Sequence, residues 1–466
     1  MIIVIICFHN VLVSGQINKT LFNPDSLKSD VEFFFKTITD VHPNIYAYNS
    51  KQVVDEKKQY LLKAIDHPMS LFDFWLLFCP VANSLFDGHT GIDDYNVLFE
   101  EFRKCDNFPR NIVNIKDNKL YFIKGFKLDG KDLSDREIVS INNYYSSVII
   151  EKIASFFSCE SKDVKSLFVE ENIHVLFPIV FGKSEEYVFR CICKEGDPDT
   201  VMLSKSNGIN EYFQDFNEVE FEVLSQHKSA LLTLNSFNIS KDKSDEYYQK
   251  INNAFDSIIK SNIKYLFIDI SRNGGGNSNY AIKILDRIIS KKIKISDGSV
   301  TLKTSPQIKQ KYTDYFYNGK VPNFFKILIN KSNRAIYWKR NGKLTTFNSS
   351  FSIVPVNPYK GKIYLIQGRA TFSASVDLSS IVKYYKLATI IGEETGGLTA
   401  GYIDSYSFKL PYSGLSCKCS HKSFCEIGGK PDGHGVLPNI YYQLNYRKKT
   451  DIEELIKIIN HNNLNN

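Results

Sequence analysis

Three short apolar runs constrain this chain more than any other feature. They are Tyr265–Ile270, Ile363–Ile366 and Ala388–Ile391, each four to six residues long. Runs this short, interrupted only by Asp269 and Thr389, read as strands buried on both faces. The first leads into Arg272-Asn-Gly-Gly-Gly276 and then a helical stripe of Ala281, Ile284, Leu285 and Ile288. The second leads into Thr371-Phe-Ser-Ala-Ser375 and a stripe of Leu378, Ile381, Val382 and Tyr385. Strand, helix and strand in this order imply a mainly parallel sheet with right-handed crossovers. The expected class is therefore α/β over residues 226–447.

Upstream the periodicity differs. Leu27, Val31, Phe34, Phe35 and Ile38 share one helical face, and His42-Pro43 stops that helix. Leu71, Phe74, Trp75 and Phe78 form a second stripe, so residues 20–98 read as a helical cap of two or three helices. Residues 100–225 read as a β-rich module. Its expected strands are Leu120–Ile123, Ile138–Ile141, Tyr187–Phe189 and the alternating Val219, Phe221 and Val223, with one helix over Val148–Phe156. Residues 448–466 read as a terminal helix capped at Asp451.

A length of 466 residues fits two or three domains. Aromatic residues at 14% and a net charge of +7 exclude a largely disordered chain. Basic blocks and zinc-finger spacings are lacking, so nucleic acid is not an expected partner. No run of 18 apolar residues occurs, so no membrane span is expected in the mature chain. Residues 1–15 read as a secretory signal cleaved before Gln16, with Val13 and Gly15 as the small residues at the cut. The mature protein is thus expected to be secreted, extracellular or periplasmic. Nine cysteines less Cys7 leave eight, an even number that suits an oxidising compartment. Cys191/Cys193 and Cys417/Cys419/Cys425 are spaced too tightly for a zinc knuckle and read as disulfides or buried thiols. HExxH is absent, and neither a metal nor a cofactor is expected.

In such sheets, sites gather at the carboxyl ends of strands. The turn at 272–276 has no Walker lysine and no GxGxxG, so its glycines suit an oxyanion hole of backbone donors better than a nucleotide site. Gly274 and Gly275 are the candidate donors; a plain tight turn is the alternative. Ser373 lies on a strand-to-helix turn, where the positive helix end favours developing negative charge and the Ala374 N–H could be a second donor. The alternative is that Ser373 or Ser375 merely caps the helix. In Asp87-Gly-His-Thr90, His89 is a candidate general base.

Asp-Gly-His-Thr at 87–90, Ile-Asp-Ile-Ser-Arg-Asn-Gly-Gly-Gly at 268–276, Thr-Phe-Ser-Ala-Ser at 371–375, Ile-Gly-Glu-Glu-Thr-Gly-Gly at 391–397 and Gly-Val-Leu-Pro-Asn at 435–439 together resemble the S41 peptidases. That family includes the C-terminal-processing (tail-specific) proteases, the tricorn core and the interphotoreceptor retinoid-binding protein. The resemblance implies a crotonase-like catalytic domain preceded by a PDZ-like module, which would be residues 100–225. It implies Ser373 as nucleophile toward peptide or unfolded-protein substrates. The processing proteases carry a lysine base where this chain has Leu398. The tricorn-like branch uses a histidine in the region of His89, and Asp87, Glu394 or Asp432 would then orient the imidazole. Glu394 is taken as the third member of the expected set. The retinoid-binding relative keeps a second possibility open, a catalytically silent binder of an apolar ligand or peptide. A third is a peptide-binding scaffold built on the PDZ-like module.

Overall fold

The computed structural model describes residues 20–93, 107–192, 196–208, 217–224, 228–315, 336–444 and 449–464. Its central sheet has six strands, in the order Val219–Leu224, Ser229–Leu234, Tyr265–Asp269, Lys362–Gln367, Thr389–Gly392 and Ile440–Tyr441. The first pair is antiparallel and the rest run parallel. Helices Ser244–Lys260, Ser278–Ile288 and Ala374–Tyr384 close one face over Leu266, Ile268, Leu365 and Ile390. The terminal helix Lys449–Leu464 covers Phe267, Tyr364, Ile366 and Ile391 on the other face with Leu455 and Ile456. Burial on both sides is why these strands carry nearly continuous apolar runs.

Two sequence expectations shift at the edges of this sheet. Val219–Leu224, grouped above with the middle module, pairs instead with Ser229–Leu234. Only four residues separate the two strands, and so short a link favours an antiparallel partner. The terminal helix begins at Lys449, which puts Asp451 inside its first turn rather than at a cap.

A second sheet of five strands joins Gly91–Ile92, Ser416–Cys425, Ile293–Lys303 and Leu344–Ile353, with Ala400–Lys409 also paired to Ser416–Cys425. Cys417 and Cys419 are two residues apart because they point inward from one strand of it. The six described cysteines, these two with Cys79, Cys159, Cys191 and Cys425, are all free thiols. Cys7, Cys105 and Cys193 lie outside the described residues, as does the expected signal segment.

The middle segment folds around strands Val113–Lys116, Lys119–Phe122, Glu137–Ile141, Tyr187–Ile192 and Pro198–Leu203. It also carries two helices, Ser146–Ala154 and Lys162–Phe181. The second was not legible as a helix. Val169, Ile173, Leu176 and Phe177 are buried on one side, but Val164, Leu167 and Phe168 are buried on the other, so the apolar residues surround the axis and leave no single stripe.

Helices Pro24–Val41, Lys51–Ala64 and Leu71–Leu85 complete the N-terminal region, with Asn23, Ser50 and Ser70 accepting first-turn N–H groups as caps. His42 leaves the first helix in extended conformation before Pro43, as expected. These helices share one apolar core with the middle segment, with Cys417 and Cys419 of the second sheet, and with Leu410 and Leu415 of the turn that precedes them. The buried Asp30 adds a polar clamp, accepting the Tyr412 and Ser413 N–H groups at 2.9 and 2.7 Å. Among the described residues, no helix is long and apolar enough to cross a membrane.

Candidate active site

The Gly274–Gly276 turn follows the Tyr265–Asp269 strand, and Ser373 follows Lys362–Gln367, its parallel neighbour. Both turns therefore emerge at the same carboxyl edge. They meet closely. A Cβ at Gly275 would stand 2.6 Å from the Phe372 carbonyl oxygen, 2.7 Å from Ser373 Cβ and 3.0 Å from the Ala374 nitrogen. With φ of +95°, only glycine fits there. The Phe372 N–H donates to the Asn273 carbonyl at 3.1 Å, tying the two turns together.

Ser373 is exposed and has φ 53° and ψ −128°, a strained conformation for a residue with a side chain. It stands at the N-terminus of Ala374–Tyr384, yet its hydroxyl makes no capping bond. The capping alternative thus fails for Ser373. Ser375 Oγ is buried and has no hydrogen-bond partner.

Of the expected oxyanion donors, one is engaged. The Gly275 N–H donates to Asn273 Oδ1 at 2.9 Å, an Asx turn that consumes it. Among the described residues, the Gly274 and Ala374 N–H groups have no protein acceptor.

His89 comes from a distant part of the chain, between helix Leu71–Leu85 and strand Gly91–Ile92. Its ring stacks on Phe372, the residue before Ser373, with centroids 6.3 Å apart. The Tyr402 carbonyl faces the ring, and His89 Nδ1 is buried without a partner. Burial holds the imidazole below its ordinary value, against the opposing pull of the Asp87 charge.

The acids expected to orient His89 are placed elsewhere. Glu394 Oε1 meets His434 Nδ1 at 3.1 Å and accepts the Gly435 N–H at 2.6 Å, so it serves the 434–435 turn rather than the His89 ring. Asp432 accepts the His434 N–H. Asp87 is fully buried and reaches the His89 backbone N–H at 2.9 Å, with its remaining bonds to His42 and Ser420. Those donors hold its carboxyl well below the usual range despite its burial.

Glu160 and His42 also stand around this turn and carried no sequence motif. Glu160 Oε2 accepts the Gly88 N–H at 2.8 Å, and burial together with the Asp87 charge pushes its carboxyl up to about 7. His42 was legible only as the residue before a proline. Leu398, at the expected lysine position, is buried beside the Thr371–Phe372 turn, where the Gly397 N–H donates to the Thr371 carbonyl. Among the described residues, no group of three or more His, Cys, Asp or Glu is placed to hold a metal ion.

A family model, that of peptidase family S41, matches residues 228–442. Residues 228–442 belong to peptidase family S41. The matched part contains the glycine turn, Ser373 and Glu394, while His89 lies before it. No curated protein matches the sequence. Among solved structures, mature CPAF aligns over 93% of this chain and 96% of its own, with 12% identity and a TM-score of 0.60. CPAF complexed with lactacystin gives 93% and 97% coverage, 12% identity and the same TM-score. The photosystem II D1 C-terminal processing protease covers 93% of this chain and 97% of its own, with 12% identity and a TM-score of 0.45. The CPAF alignments extend the shared fold beyond the family match to nearly the whole chain.

Proposed function

We propose that this chain is a serine-type peptidase whose substrates are peptides or unfolded polypeptides. Ser373 Oγ attacks the scissile carbonyl while His89 takes its proton. The carbonyl electrons move onto oxygen, where the Ala374 and Gly274 N–H groups and the positive helix end receive the charge. Collapse of this adduct breaks the C–N bond, and His89 returns the proton to the leaving amine. Water then hydrolyses the acyl-enzyme by the same route. One observation carries this reading: an exposed serine held in a strained conformation at a helix N-terminus, with its hydroxyl not used as a cap. The test is digestion of a fluorescent unfolded protein by the full chain beside Ser373→Ala. Cutting should vanish in the variant, and an active variant would refute the assignment.

A second reading, a silent binder on the same fold, draws on Leu398 and on the lack, among the described residues, of a carboxylate hydrogen-bonded to the His89 ring. It is distinguished by a fluorophosphonate probe, which would leave such a protein unlabelled. Export is part of the proposal, and mature protein recovered from the medium or periplasm should begin at Gln16.

A further inference from the structure

The turn that carries His89 is held by residues from far apart in the chain. Asp87 Oδ2 accepts a hydrogen bond from His42 Nε2 at 2.8 Å. Asp87 Oδ1 accepts from Ser420 Oγ at 2.6 Å and from the His89 N–H at 2.9 Å. The Ser420 N–H in turn donates to Thr90 Oγ1 at 3.0 Å. His42 and Asp87 are both buried.

The remaining nitrogen of His42 fixes its role. Nδ1 accepts the Asn44 N–H at 3.0 Å, which leaves Nε2 as the nitrogen that donates to Asp87. Lys303 Nζ anchors the same corner by donating to the Thr39 and His42 carbonyls at 2.8 and 2.9 Å. The His42 ring also packs on Tyr402, with centroids 4.5 Å apart. Tyr402 supplies the carbonyl that faces His89. His42 therefore touches the Asp87 carboxylate below the His89 turn and the side chain of Tyr402, whose carbonyl faces the His89 ring.

We infer that His42 is a positioning residue for the base: it seats the Asp87 carboxylate, and through it the turn that aims His89 at Ser373. The inference rests on the peptidase reading, with His89 as base. A buried His–Asp pair that served only the fold would affect stability and leave turnover by the folded enzyme unchanged. Removing one donor from a buried carboxylate disturbs everything else bonded to it. Here that includes the His89 backbone.

The experiment compares full-length wild type, His42→Leu, His42→Gln and Ser373→Ala on a fluorogenic peptide. Leucine fills the space without a donor. Glutamine returns an N–H at the reach of Nε2. In folded His42→Leu, kcat should fall about 100-fold while KM changes by no more than about twofold. His42→Gln should recover activity to within about fivefold of wild type. Wild-type kcat in folded His42→Leu, or a His42→Gln as slow as His42→Leu, would overturn the inference.

Should His42→Leu fail to fold, Ser420→Ala removes another donor from the same carboxylate. It should lower kcat at constant KM, and unchanged kcat would count against the inference. Failure of the peptidase reading looks different: Ser373→Ala is then as active as wild type, or wild type is inert. In that event the His89 imidazole is followed by NMR. Its titration should move in Ser420→Ala and stay close to wild type in His42→Gln, and a Ser420→Ala curve identical to that of wild type would overturn the inference.

Discussion

Glu426 offers the sharpest test of the electrostatics. It follows the Ser416–Cys425 strand, is 9% exposed, and is hydrogen-bonded to Asp377 in the first turn of the Ser373 helix. Asp377 also accepts the Ser278 hydroxyl at 2.9 Å. Two touching carboxyls in a dry site cannot both ionise. Burial first, then the Asp377 charge, push Glu426 from 4.5 up to about 10. The folded value lies above the unfolded one, so folding takes up a proton. Its contribution is fully present below 4.5 and is lost as pH rises toward 10. At pH 7 the gap from the unfolded value is about 2.5 units, worth about 3 kcal/mol. Glutamine keeps an N–H for Asp377 and never ionises. Glu426→Gln should therefore be about 3 kcal/mol more stable than wild type at pH 7 and nearly equal to it at pH 4.5. Urea unfolding of the full chain, followed by circular dichroism at pH 4.5, 7 and 8.5, measures this directly. A gap that does not widen with pH, or a variant less stable than wild type at pH 8.5, would refute the reasoning.

Three further outcomes are expected. Gly275→Ala forces a Cβ against Phe372 and Ser373 and should cost more than about 2 kcal/mol. It should also slow fluorophosphonate labelling, whereas Gly342→Ala, at φ +81° with open space around it, should cost about 1 kcal/mol and leave labelling alone. Arg369 grips Glu170, which is 3% exposed, through two bonds of 3.0 Å, so Arg369→Met should lose about 3–5 kcal/mol in urea unfolding. Removing both charges in Glu170→Gln/Arg369→Met should restore much of that loss. Because burial holds His89 below 6.5, the acid limb of kcat/KM should have its midpoint below 6.5, activity falling as pH drops through it; a midpoint above that value would refute His89 as base.

The parallel strands were legible because burial on both faces leaves a local mark, a short and nearly continuous apolar run. The glycine and serine turns were legible because each needs a residue type that few other positions need. Lys162–Phe181 was not, since a helix buried on several sides loses its periodicity. Cys417 and Cys419 looked like a cluster only because a strand brings every second residue to one face. The surroundings of His89 were hidden for a different reason. His42 pairs with Asp87 across 45 positions, and Ser420 across 333, and no local pattern encodes a partner that far away. Glu394 stood in a recognisable motif, but its role depends on which turn folds against it, and that turn carries His434.

The 333-position span between Asp87 and Ser420 also orders events during synthesis. The N-terminal helices, His42 and the His89 turn leave the ribosome long before the hairpin that clamps them. Contacts so remote in sequence close late in folding. Until the Ser416–Cys425 strand has emerged, Gly91–Ile92 has no strand to pair with, Asp30 has no Tyr412–Ser413 turn to grip, and Asp87 lacks its Ser420 donor. Ser373 is translated before that strand. On the mechanism proposed above, the nascent chain for an interval carries Ser373 without a seated His89, so it would stay inert beside the unfolded polypeptide most exposed to it, its own.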